Sequence, residues 1–205
     1  ALREAGIRTA VIGNSDIPGE PHREAVAIAM DRNGLVDVGD VSSSDLAEPF
    51  PDSAYGVRAN NRVLLRELQR ALRLSGFVVL DFGDTYRADR YAELCTDSQA
   101  ARIRREAVSR LDALVGEIRN SLDLKRDSLI VLSPTPRLLS DLEDEKLTPV
   151  LAVGPRFGGG ALTSPSTRRV GLVTMGDVAP TVLSLLGVSP PRDVVGRTIV
   201  SAKCD

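Results

Sequence analysis

Short apolar runs alternate with longer stretches in which apolar positions recur every three or four residues. The run from Thr9 to Ile12 stops at Gly13-Asn14-Ser15-Asp16 and predicts a buried strand with a polar end. A helix is predicted from Arg23 to Asp31, then a short, edge-like strand in "GLVDVGDV". Residues 42 to 56 are rich in Ser, Pro, Asp and Gly and read as a long loop. Leu64, Leu65, Leu68, Ala71 and Leu72 form one stripe of a helix from about Asn60 to Leu74. "GFVVLDFGD" is the clearest buried strand, with a turn starting at Asp81. Ala107, Leu111, Leu114, Val115 and Ile118 keep helical spacing within a long helix from about Gln99 to Leu122. Strands follow in "SLIVLSPTP", "PVLAVG" and "RVGLVT". In "DVAPTVLSLLGV", Asp177 is placed as an N-cap, Pro180 in the first turn and Gly187 at the end.

Strands alternating with helices, joined by long crossovers, favour parallel pairing with helices on both faces. The expected fold is therefore α/β: a three-layer α/β/α sandwich with a mostly parallel central sheet, in a single domain over residues 1–205. The acidic stretch "DLEDEK" at 141–146 reads as a solvated loop. The chain opens inside a helix-like segment with no Met, so it reads as a piece of a longer protein.

In open parallel sheets chemistry gathers beyond the carboxyl ends of the strands. There the sequence puts Asn14, Ser15 and Asp16, then Asp81, Asp84, Thr85 and Arg87, then Ser133 and Thr135. Three carboxylates on one rim suit a hard cation held by oxygen. The alternative, which the residue types favour, is that Asp and Asn cap turns and helices after strands. "GPRFGGG" lacks the Lys-Ser/Thr of a phosphate loop and reads as a flexible loop. "SPSTRR" reads as a polar connection, with Arg168 or Arg169 as an alternative anion partner.

Composition removes several chemistries. The only histidine is His22, which leaves no catalytic zinc set of ordinary type and no Ser-His-Asp triad with a G-x-S-x-G elbow. His22 itself, just ahead of a helix, reads as a surface or capping residue. Cys95 and Cys204 have no metal-ligand spacing, and free thiols are expected over a disulfide. A net charge of −2 gives no general attraction to nucleic acid. No apolar stretch is long enough to cross a membrane, and no signal peptide is visible.

The last third, from Leu147 through "GPRFGGG" and Asp177-Val178-Ala179-Pro180-Thr181 to Gly196, resembles the C-terminal part of the alkaline phosphatase superfamily, which includes sulfatases and phosphodiesterases. "VVLDFGDTYRADRY", the long helix and "DSLIVLSPTP" fall in the order that superfamily uses. The resemblance extends over residues 1 to 200. It implies the superfamily's fold, and, for active members, two metal ions on Asp and His ligands with a Ser, Thr or modified Cys nucleophile. This chain departs from that pattern. Ser133-Pro134-Thr135 stand where Asp-His-Gly is usual, Arg87 to Tyr91 contain no His, and neither does the stretch between the "GP" loop and the "DVAPT" helix. The first Asp and the nucleophile belong to a more N-terminal portion than this sequence contains.

The resemblance thus implies an inactive, phosphatase-like domain needing no cofactor. It binds a small anion or a protein partner and belongs to the extracytoplasmic face of a bacterial membrane protein. A divergent hydrolase or transferase is the second expectation, with Asp16, Asp81 and Asp84 holding Mg²⁺ or Mn²⁺ and Arg87 on the anion. A cytoplasmic metabolite-binding domain is the third.

Overall fold

Thr9–Ile12 forms strand β1, and all four of its residues are buried. Its backbone N–H and C=O groups, buried with it, need partners, which neighbouring strands on both edges supply. They are β2 (Val38–Asp40) and β5 (Phe77–Leu80), both parallel to β1, giving the order β2-β1-β5. The computed structural model describes residues 1–136 and 147–203. These divide into two compact units, one of residues 6–121 and one of residues 1–5, 122–136 and 147–203. The acidic stretch at 141–146 and Cys204 lie outside the described residues.

In the first unit, α2 (Asn61–Leu72) buries Leu64, Leu68 and Ala71 of the predicted stripe together with Val63, while Leu65 is half-buried and Leu72 is exposed. Asn60 caps it by accepting from the Val63 N–H at 3.3 Å. Helix α3 (Asp84–Tyr91) follows β5 directly. The 25-residue α4 (Asp97–Ser121) buries Ile103, Ala107, Leu114 and Ile118. Ala88 of α3 meets Ile103 and Ala107 of α4 in one apolar cluster.

Two expectations in this unit are corrected. The helix predicted from Arg23 to Asp31 is one turn, α1 (Val26–Ala29). The Asp31 carboxylate accepts from the N–H groups of Asn33 and Leu35, which folds the chain into a turn that competes with the helix. The predicted loop at 42–56 contains β3 (Ala47–Pro49), which pairs antiparallel with β4 (Val57–Ala59).

The second unit is built on two antiparallel pairs. β6 (Leu129–Leu132) pairs with β7 (Val150–Val153), and β8 (Ala161–Thr163) with β9 (Val200–Ala202). Helix α5 (Val178–Leu185) ends as its sequence predicts. Gly187 adopts φ +71°, its N–H reaches Ser184 O at 3.2 Å, and the Val188 N–H reaches Leu183 O at 2.8 Å. This paired closure needs a left-handed residue and so a glycine. The expected strand "RVGLVT" is not one: Arg168 and Gly171 both have positive φ, and the Leu172 N–H turns back to Arg169 O. The segment forms a turn in which Val170 is exposed and Leu172 and Val173 are half-buried, and the strand lies earlier, at Ala161–Thr163.

The architecture is therefore mixed α/β, with one three-stranded parallel sheet and three two-stranded antiparallel pairs among the described residues. No helix among the described residues is long and apolar enough to cross a membrane.

Candidate functional site

The register of β1 on β5 pairs Ile12 with Leu80, so both strands end level. The ladder runs one step further on each side: Asp81 N–H donates to Ile12 O at 2.8 Å, and Gly13 N–H to Asp40 O at 2.9 Å. Gly13 has φ +85°, and a Cβ there would stand 2.2 Å from Asp81 O. Only glycine lets the chain turn that close to its neighbour. The turn delivers Asn14, Ser15 and Asp16 to the same rim as Asp81 and Asp84.

Asp16, Asp81, Asp84 and Arg87 thus come together, and their side chains are engaged with one another or with near neighbours. Arg87 is the centre. It is 2% exposed. Its Nε donates to Asp16 O at 2.7 Å, its Nη2 to both oxygens of Asn14 at 3.2 Å, and its Nη1 to Asp84 Oδ1 at 3.1 Å. Arg87 therefore ties the loop after β1 to the first turn of α3 and is not presented to a dissolved anion. Gly83 permits this: a Cβ there would lie 2.3 Å from Asn14 O and 2.6 Å from Arg87 Nη1.

Asp84 is buried and accepts three times: from Ala59 N–H at 2.7 Å, from Arg87, and from Arg110 Nε at 3.3 Å. Arg110 also donates to Ala59 O and Asn61 Oδ1. Two guanidiniums and an N–H already balance this carboxylate, so it has little to offer a cation. Sequence reasoning missed Arg110. The signal was there: Arg110 falls in line with Ile103, Ala107, Leu114 and Ile118, a charge on the buried stripe of α4.

Asp16 is held by Arg23, at 2.8 and 3.1 Å to one oxygen, and by the His22 N–H at 2.7 Å. Partial burial alone would raise its pKa, but these bonds outweigh it and keep the carboxyl below its ordinary range. His22 sits beside the rim, its Nδ1 3.2 Å from the Tyr86 hydroxyl and 3.5 Å from Glu24, its Nε2 3.4 Å from Glu20. It is a bridging residue more than a cap.

Asp81 differs from the others. Its only hydrogen-bond donor to the side chain among the described residues is Ser15 Oγ, 3.0 Å from each carboxylate oxygen. Burial pushes its carboxyl above the ordinary range, against the pull of Ser15 and the more distant Arg87. A group whose folded pKa is raised favours the protonated fold. Its contribution to stability falls as pH rises from the ordinary carboxylate range through the raised folded value. Asp81→Asn keeps an acceptor for Ser15 and removes the charge. Its melting temperature at pH 7 is expected to equal or exceed that of the wild type, with the difference shrinking toward pH 4. A lower melting temperature at pH 7 would show that the Asp81 charge stabilises the rim.

Ser133 and Thr135 belong to the second unit. Ser133 Oγ donates to Thr135 O at 2.8 Å and closes the turn that Pro134 and Pro136 flank. Among the described residues no three His, Cys, Asp or Glu side chains are grouped as a metal site would need.

The second unit holds a buried carboxylate that the sequence presents as a helix cap. Asp177 is 0% exposed. It accepts from Ser164 Oγ at 2.7 Å, Ser166 Oγ at 2.5 Å, Thr174 N–H at 2.9 Å and Arg197 N–H at 2.8 Å. It does not cap α5 through its side chain. Of the hydroxyls of "SPSTRR", those of Ser164 and Ser166 thus serve Asp177, and that of Thr167 donates to Leu172 O. The spacing Thr174-x-x-Asp177 was the legible clue, since a hydroxyl residue followed three places later by an acid marks a capping box.

No protein-family model matches this chain, and no curated protein matches it either.

Proposed function

We propose that the chain is a catalytically inactive alkaline-phosphatase-like domain, built as a three-layer α/β/α sandwich, with a binding or scaffold role on the extracytoplasmic side of a bacterial membrane protein. The order of its elements and the "DVAPT" segment support the family reading, and the placement outside the cytoplasm rests on that resemblance alone. One observation carries the inactive reading. The rim where metal and substrate would bind is filled by its own side chains: Asp84 is balanced by Arg87, Arg110 and the Ala59 N–H, and Arg87 by Asn14, Asp16 and Asp84. A two-metal mechanism needs free ligands to supply a Lewis acid and an activated nucleophile. Here Asp16 and Asp84 are spent on holding the fold together instead.

The test is metal content and turnover of the purified chain and of its parent protein. After incubation with Zn²⁺, Mg²⁺ or Mn²⁺ and desalting, substoichiometric metal is expected. Millimolar metal should leave the melting temperature unchanged, because only a ligand that binds the folded state raises it. p-Nitrophenyl phosphate, bis(p-nitrophenyl) phosphate and p-nitrophenyl sulfate should not be turned over above background. Stoichiometric metal together with ester hydrolysis that Asp81→Asn abolishes would refute the proposal.

A further inference from the structure

The first unit has a cavity of about 360 Å³ away from the Ser15–Asp81 pair. That volume lies in the range of small-ligand sites, roughly 300–1,000 Å³. Its apolar walls include Phe50, Val57 and Ile103, and three guanidiniums, Arg58, Arg102 and Arg110, face it from β4 and α4.

The hydrogen bonds of those arginines are largely unspent. Each guanidinium carries about five N–H donors. Among the described residues Arg58 makes one hydrogen bond, to Glu48, Arg102 one, to Glu106, and Arg110 three, to Asp84, Ala59 and Asn61. Asp84, on the inner wall, is already saturated. Counting the buried Arg87, four guanidiniums line the cavity against three carboxylates, Asp52, Asp84 and Glu106, so the wall carries more cationic than anionic groups. Two of the partner carboxylates are easily displaced: Glu48 is 37% exposed and Glu106 49% exposed, and exposed pairs of this kind contribute little.

The apolar side is equally defined. The Arg58 guanidinium lies 3.9 Å above the centre of the Phe50 ring, presenting a flat wall. The segment beside it is held in an uncommon conformation: Tyr55 has φ +57°, and its ring packs edge-on against Tyr91 at 5.1 Å. A left-handed non-glycine residue is retained only where its surroundings enforce it, and such residues cluster at ligand sites.

We propose that this cavity binds a small organic oxyanion, a carboxylate or phosphate group on a flat or short apolar body. Arg58 and Arg102 take the charged group from the open side, and Phe50, Val57 and Ile103 cover the body. The proposal does not depend on the inactive-phosphatase reading. That reading is tested by metal content and turnover, this one by binding.

Calorimetric titration of the full chain with phenyl phosphate, benzoate and inorganic phosphate tests it. At least one organic anion should saturate with a dissociation constant at or below the millimolar range, and inorganic phosphate should bind more weakly. Arg102→Gln should weaken the organic anion by about tenfold, the loss of one charge-assisted hydrogen bond. Arg102 is well exposed, so the variant is expected to fold, which its melting temperature checks. Arg66→Gln, on an exposed side chain outside the cavity, should change nothing. The proposal is overturned if neither organic anion saturates, if inorganic phosphate binds as tightly as both, or if Arg58→Gln with Arg102→Gln leaves the affinity unchanged.

Discussion

Asp177→Ala is expected to cost the second unit about 3–5 kcal/mol of stability, read as a lower denaturant midpoint. The side chain is fully buried and accepts four hydrogen bonds. The hydroxyls of Ser164 and Ser166 can rotate to other acceptors. The N–H groups of Thr174 and Arg197 are fixed by the backbone and would be left without a partner, at roughly 1–3 kcal/mol each. The damage would spread. Thr181, also fully buried, donates to Asp177 O at 2.5 Å and accepts from the Ile199 N–H at 2.8 Å. Asp177 and Thr181 thus pin the start of α5 to the segment leading into β9. Asp177→Asn should fall between wild type and Ala, since the amide keeps one acceptor but turns its NH₂ toward donors. Burial would raise the Asp177 pKa, but the bonds from Ser166, Ser164, Thr174 and Arg197 hold the carboxyl far below its ordinary range. A folded pKa that is depressed gives stability that is present above the unfolded value, about 3.9, and lost as pH falls below it. Wild type should therefore lose stability below that pH, and the alanine variant should lose less. Faster amide exchange at Thr174 and Arg197 would locate the effect. A loss under about 1 kcal/mol for Asp177→Ala would mean that the cluster supports little, as at an ordinary surface site.

Asp177 also marks the limit of what the sequence makes legible. Long, strongly patterned elements were readable: most of the stripe of α2, the strands β1 and β5 and the glycine closure of α5 follow from local spacing, although it is β1 that is fully buried and β5, expected as the clearest buried strand, that is half-buried. The pairing of Ala161–Thr163 with Val200–Ala202 was not, because strands of three residues carry no period and their partner lies far along the chain. The β3–β4 hairpin was hidden for the same reason, in a segment whose Pro and Ser suggest a loop. Asn14, Ser15, Asp16, Asp81 and Asp84 do follow two strands that adjoin, whereas Ser133 and Thr135, expected on the same rim, follow β6, which pairs with β7 in the second unit. What residue types alone do not give is who satisfies whom. An Asp after a strand looks the same whether it faces a metal, a backbone N–H or an arginine 26 positions away, as Asp84 and Arg110 do.

That distinction makes Asp84→Asn the decisive variant at the rim. In the apo protein it is expected to cost about 3–5 kcal/mol, because it removes the carboxylate in direct contact with Arg87, a guanidinium 2% exposed. Arg110 is partly exposed and can turn to water; Arg87 cannot, and would keep only carbonyl-type acceptors from Asn14 and Asp16. Arg87→Met should also destabilise, since it frees the loop after β1, but it leaves Asp84 with Arg110 and the Ala59 N–H. The double variant Asp84→Asn/Arg87→Met should then cost less than the sum of the two, by roughly 0.5–3 kcal/mol, because removing both partners strands no buried charge. A carboxylate kept for metal behaves in the opposite way. Neutralising it in the absence of metal relieves repulsion from its neighbours, so the apo protein holds or gains stability and only the metal-induced increase is lost. Denaturant midpoints of the four proteins, measured with and without EDTA, separate the cases. A metal-independent loss with positive coupling between positions 84 and 87 identifies Asp84 as a structural counter-ion. An unchanged apo midpoint for Asp84→Asn would return it to the ligands of an active centre.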